Sequence, residues 1–127
     1  MDLSSLNTSL NVLCNKITKY LDNVPQIGQA NYEQQQDIKY ISDNYNNIVF
    51  IYSELLNLIT ETQYFISQCK KVCKMLSNNT SLEKQQKEKI KAAIEVIEEQ
   101  SKPLYNERER LKTLEMFYRS IYTRRDY

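Results

Sequence analysis

The sequence predicts an all-α protein: a long antiparallel helical hairpin with a shorter N-terminal helix, of the coiled-coil or three-helix-bundle type. Three observations carry this. Apolar residues recur at alternating steps of three and four along most of the chain, the pattern of a helix face that meets other helices. One glycine, Gly28, and two prolines, Pro25 and Pro103, are the only strong punctuation in 127 residues, too little for the turns of a multi-stranded sheet. The length suits a single domain, 1–127, which with so few breaks is built from a few long elements.

Helix one is expected over 3–23. Leu3, Leu6, Leu10, Leu13, Ile17, Tyr20 and Val24 form its seam, with Ser4, Ser5, Asn7, Thr8, Asn11 and Asn15 on the other face. Pro25 and Gly28 then end it. Helix two is expected over 30–76. Its seam runs Ile38, Ile41, Tyr45, Ile48, Tyr52, Leu55, Ile59, Thr62, Ile66, Cys69, Cys73, Leu76 without a slip. Asn44, Asn46 and Asn47 are poor helix formers, but the unbroken register argues against a break there. Ser77, Asn78 and Asn79 read as a loop. Thr80 and Glu83 have the spacing of a capping box, which opens helix three.

Helix three is expected over 81–122, with Ile90, Ala93, Ile97, Leu104, Leu111, Leu114, Tyr118 and Ile121 at heptad spacing and Gln100 and Glu107 interrupting the seam. Pro103 removes one backbone donor and should kink the helix. Opposite charges four apart lie outside the seam: Glu83 with Lys87, Lys84 with Glu88, Lys91 with Glu95, Glu98 with Lys102, Glu115 with Arg119. The short connection makes helices two and three antiparallel neighbours in a rod of roughly 65 to 70 Å.

Absences bound the function. The chain has no histidine and a net charge of +1. Missing histidine removes the commonest general base and zinc ligand. One glycine cannot build a phosphate-cradling loop. Paired carboxylates such as Glu98 and Glu99 stand on a solvated face without pocket-forming loops. The sequence therefore reads as non-enzymatic, with no catalytic residues, no cofactor, no metal and no small-molecule substrate. Cys14, Cys69 and Cys73 lack the tight Cys-x-x-Cys spacing of metal sites and read as buried small side chains of a reducing compartment. No signal-peptide or membrane-spanning pattern is expected, so the reading is cytoplasmic or nuclear.

Two surfaces stand out. In the middle of helix two, Val49, Phe50, Ile51, Leu56, Leu58 and Phe65 lie outside the seam, and no lysine or arginine occurs between Tyr40 and Cys69. An apolar stripe this wide needs more than one neighbour, so these six residues are expected to bind a partner: other helical or coiled-coil subunits, or a second copy through self-association. The implied function is a non-catalytic structural or adaptor subunit of a larger helical assembly. Its type would be a tether, a scaffold or a cytoskeleton- or kinetochore-linked complex. The alternative is a membrane-surface module, because Leu3, Leu6, Leu10 and Leu13 oppose a weakly charged Ser, Thr and Asn face. The basic and aromatic C-terminal run from Phe117 to Tyr127 reads as a helix end, and no nucleic-acid partner is expected.

Overall fold

The structure, a computed structural model, describes residues 3–24 and 26–124, except the Leu3 side chain. These residues form an all-α bundle of four helices: α1 (Leu3–Asp22), α2 (Tyr32–Gln35), α3 (Ile38–Met75) and α4 (Ser81–Arg124). No strand occurs among the described residues. Pro25, expected to help end helix one, lies outside them.

The expected second helix begins late, because the 30–37 region carries two start signals. Asn31 caps α2 by accepting from the Gln34 N–H at 2.9 Å, while Gln34 Oε1 accepts from the Asn31 N–H at 2.9 Å. After this single turn Asp37 starts again, accepting from the Tyr40 N–H at 3.2 Å. A side-chain oxygen that captures a first-turn amide fixes a helix start, so α3 begins at Ile38. Being first in the helix, Ile38 is exposed and does not join the seam. The three asparagines at 44, 46 and 47 leave α3 unbroken.

At the head of α4, Thr80 Oγ1 accepts from the Glu83 N–H at 3.1 Å. The expected reciprocal arm is absent: the Glu83 carboxylate accepts from the Ser77 hydroxyl instead. At about 1.5 Å per residue, the 44 residues of α4 span roughly 66 Å.

The hairpin core follows the seams. Ile41, Ile48, Leu55, Ile59, Thr62 and Cys69 of α3 are buried, as are Ile90, Ala93, Ile97, Leu104, Leu111, Leu114, Tyr118 and Ile121 of α4. Thr62 satisfies its hydroxyl by donating to the Leu58 carbonyl at 2.9 Å. Gln100 is exposed and no true interruption arises, because Ser101 takes the buried position and donates to the Glu98 carbonyl at 3.1 Å. Of the expected charge pairs, Glu115 meets Arg119 at 3.6 Å, whereas Lys102 turns to Glu99 at 2.7 Å.

Helix α1 packs against both long helices. Lys16 pairs with Glu61 at 3.1 Å, and Val12 shares a groove with Tyr64 while Tyr20 shares one with Ile51. Ascending α1 therefore means descending α3, so the two run antiparallel and α1 is parallel to α4. Over residues 26–31 the chain runs as an irregular strap. Arg110, held by Glu107 through bonds of 3.1 and 2.9 Å, donates to the Ile27 carbonyl at 3.1 Å. Tyr118 donates to the Gly28 carbonyl at 3.0 Å. Ala30 is buried with Ile41, Ile48, Leu114, Tyr118 and Ile121 in a second apolar cluster.

Helix α4 is continuous through Pro103. The ring supplies no N–H to the Glu99 carbonyl and Pro103 itself is exposed. Pro103→Ala is expected to raise stability in urea unfolding by roughly 1 to 3 kcal/mol, because an interior helix proline costs about 3. A loss above about 1 kcal/mol would show that the bundle needs a bend there.

Two phenols are held protonated. Burial first, and then the Tyr40 phenol, push Tyr118 up to about 12. Burial, then Glu107 and Glu54 against an opposing Arg110, take Tyr20 to about 12. A raised folded-state value leaves stability intact below the unfolded value near 10 and removes it as pH rises from 10 towards 12. Urea unfolding should therefore weaken over that window by about 1.4 kcal/mol per pH unit at most for each phenol. Tyr118→Phe should flatten the slope; an unchanged slope refutes the assignment.

Candidate functional site

On a helix that winds into a bundle, residues seven apart form a column. The column Ile51, Leu58, Phe65 belongs to the core: all three are buried in one cluster with Leu6, Leu13 and Ile17 of α1. This corrects half of the expected partner surface. The sequence offered these side chains to a separate protein, but α1 supplies the second neighbour from within the chain.

Val49, Phe50 and Leu56 stay outside, at 43, 64 and 37 % exposure. They belong to a solvent face of three columns. One column is Asp43, Phe50, Asn57, Tyr64 and Lys71. The middle one is Lys39, Asn46, Ser53, Thr60, Ser67 and Lys74, and the third is Ser42, Val49, Leu56, Gln63 and Lys70. Tyr64, 66 % exposed, was not singled out in the sequence, although its spacing of seven from Asn57 and fourteen from Phe50 could have found it.

Across its central three heptads this face carries no charge. Glu54 and Glu61 stand beside it, on the α1 edge, where Lys16 holds Glu61. The exposed side of α4 differs: Lys84, Glu88, Lys89, Lys91, Glu95, Glu98, Glu99, Lys102, Glu109 and Lys112 are exposed there. An apolar side chain in isolation on a surface is ordinary. Three uncharged heptads of one helix face, with two exposed aromatic rings, make a low-desolvation surface suited to another helix.

On its α1 side the face borders a groove of about 930 Å³, whose walls include Lys19, Tyr20, Asn23, Asn47, Phe50 and Glu54. The Tyr20 hydroxyl is buried, with no hydrogen-bond partner among the described residues.

The leucine stripe of α1 is turned inward: Leu6 and Leu13 are buried and Leu10 packs against the same cluster. The Leu3 side chain lies outside the described residues. The face considered for a membrane surface is thus occupied by the hairpin, because α3 and α4 offer it a dry groove. No helix among the described residues is long and apolar enough to cross a membrane.

At the C-terminal end the aromatic residues are used in packing. Tyr122 stacks on Tyr45 with centroids 5.6 Å apart, and Phe117 meets Tyr118 edge-on at 5.5 Å. Arg125, Asp126 and Tyr127 lie outside the described residues. Cys69 is buried, and burial raises the Cys69 and Cys14 thiols above their ordinary range, which opposes the thiolate form that reacts or binds metal. Among the described residues no group of three or more His, Cys, Asp or Glu side chains is placed to hold a metal ion.

No family model matches this chain, and neither does any curated protein or solved structure.

Proposed function

We propose that the protein is a non-catalytic helical subunit that works by docking the outer face of α3 onto another helix, as a structural or adaptor component of a larger assembly. The observation that carries this is the asymmetry between the two long helices. Both expose one side to solvent, but α4 sets its exposed Val96 and Met116 among alternating charges, while α3 leaves Val49, Phe50, Leu56 and Tyr64 on a stretch of that side without charge from Asn46 to Ser67. Fully burying such side chains is worth roughly 1.5 to 3 kcal/mol each, and the central three heptads of this face have no charges to strip of water first. The rigid bundle behind it holds the face in one shape, so little ordering cost opposes docking.

The test is affinity purification from the native cell, comparing the wild-type chain with the double variant Phe50→Ser, Leu56→Ser. The variant is expected to lose its stoichiometric companions while keeping its helical circular dichroism and melting temperature. Recovery of the same companions in the same amounts would refute docking through α3.

A further inference from the structure

We infer that the hairpin tip, where α3 turns into α4, is a second interaction surface whose partner is a lipid bilayer face rich in anionic headgroups. The leucine stripe of α1 is buried in the core, so the tip is a different site from the one the sequence suggested for a membrane. The net charge of +1 hides a polarity along the chain. Between Glu61 and Glu95 stand seven lysines and two glutamates, a charge of +5, which leaves −4 for the rest. Lys70, Lys71 and Lys74 belong to the end of α3, and Lys84, Lys87, Lys89 and Lys91 to the start of α4. All but the half-buried Lys87 are exposed. Among the described residues none of the seven is in an ion pair.

The two acids do little to offset them. The Glu83 carboxylate accepts from the Ser77 hydroxyl and is turned towards the loop. Glu88 shares one shallow groove of about 420 Å³ with Lys84, Lys87, Lys91 and Asn78, three cations to one anion. The N-terminal end of α1 lies on the tip side, and its described residues carry no charge before Lys16; Asp2 lies outside them. At about 1.5 Å per residue, Lys70, Lys71, Lys74, Lys84 and Lys87 stand within roughly 10 Å of the loop. Their long stems let the ammonium groups reach one plane at the tip.

The same end carries apolar side chains. Met75, the last residue of α3, is 85 % exposed, the most of any large apolar residue described, and Leu82, second in α4, is 64 % exposed. They stand on either side of the loop over residues 76–80. Reversible attachment to a bilayer needs two signals together, apolar insertion and attraction to anionic lipid, and the tip offers both. A nucleic acid is served less well. All seven cations are lysines, without the planar fork with which arginine grips phosphate, and no exposed ring lies within a turn of the loop for a base to stack on.

The experiment is flotation of the full chain with vesicles of phosphatidylcholine alone or of phosphatidylcholine and phosphatidylserine in equal amounts, at low and at physiological ionic strength. The wild type is expected to float with the mixed vesicles, more weakly at higher salt, and to stay behind with phosphatidylcholine alone. Lys74→Gln and Lys84→Gln should each weaken partitioning about fivefold, and Met75→Ser with Leu82→Ser by about tenfold or more. Lys39→Gln with Lys112→Gln, exposed but far from the tip, should bind like the wild type. The chain has no tryptophan, so Met75→Trp supplies a single reporter. Its emission should shift to the blue on mixed vesicles, whereas that of Met116→Trp, exposed but towards the opposite end, should not. Circular dichroism confirms that each variant is folded.

The proposal is overturned by a wild type that ignores the mixed vesicles at low ionic strength, by tip variants that bind as well as the wild type, or by equal blue shifts at both reporters. Duplex DNA bound as strongly as the mixed vesicles, with Met75→Ser, Leu82→Ser undiminished on both, would make the tip a general polyanion site and refute lipid insertion. Phe50→Ser, Leu56→Ser is expected to float like the wild type, so docking through α3 and attachment through the tip can fail separately.

Discussion

Leu55→Ala is expected to destabilise the protein by roughly 2 to 5 kcal/mol, whereas Phe50→Ser, just over one helical turn away, should change the monomer by no more than about 0.5 kcal/mol. Leu55 is fully buried in the cluster shared by α1, α3 and α4. Truncating it leaves a void that three helices would have to close together. Phe50 is mostly in water in the isolated chain, so its loss removes little packing. Urea unfolding of the two variants, at a concentration where the wild type is monomeric, measures the contrast directly. Equal costs would mean that Phe50 is packed in solution and that the α3 face is not open.

Ile17→Asp should be the most damaging single change in the first helix, costing more than about 4 kcal/mol or detaching α1 altogether. Ile17 is fully buried among side chains of α3 and α4. The substitution forfeits about 2 to 3 kcal/mol of apolar burial and adds a carboxylate for which the surrounding cluster offers no cation. Amide exchange distinguishes the two outcomes. Detachment strips protection from α1 first and leaves α3 and α4 protected, while global destabilisation lowers all amides together. A variant within about 1 kcal/mol of wild type, with α1 still protected, would show that the helix docks by some other face.

The hairpin was legible because its information is periodic. Every residue singled out in the seam of α4 is buried, and those of α3 are buried or half-buried apart from Ile38. Periodicity gives the angle of a side chain around its helix but not the identity of the neighbour at that angle. That is why Ile51, Leu58 and Phe65 were assigned to an outside partner: their column points away from α4, and only the path of α1 decides who meets it. Their spacing of seven, matched by the leucines of α1, was the available signal. The late start of α3 was missed for a different reason. Asn31 and Asp37 are local cap residues, and a seam pattern does not register them. The candidate face was half legible: Val49, Phe50 and Leu56 stood out by hydrophobicity, whereas Tyr64 and the small middle column are noticed only when the surface is seen to lack charge.

The strap from Gln26 to Asn31 replaces a helix along the half of the hairpin that α1 does not reach. The two apolar clusters have no buried residue in common, and Ile27, half-buried, packs on both. Cooperativity passes between such clusters through the long helices and this one side chain. Local opening therefore divides the molecule: the end built on Ile41, Ile48, Tyr118 and Ile121 is secured by two side-chain grips on strap carbonyls rather than by a third helix, and it unlatches at a lower free energy than the end under α1. In native-state hydrogen exchange the amides of α3 should fall into two tiers, with the step between them lying near Ile51, where the first cluster takes over from the second.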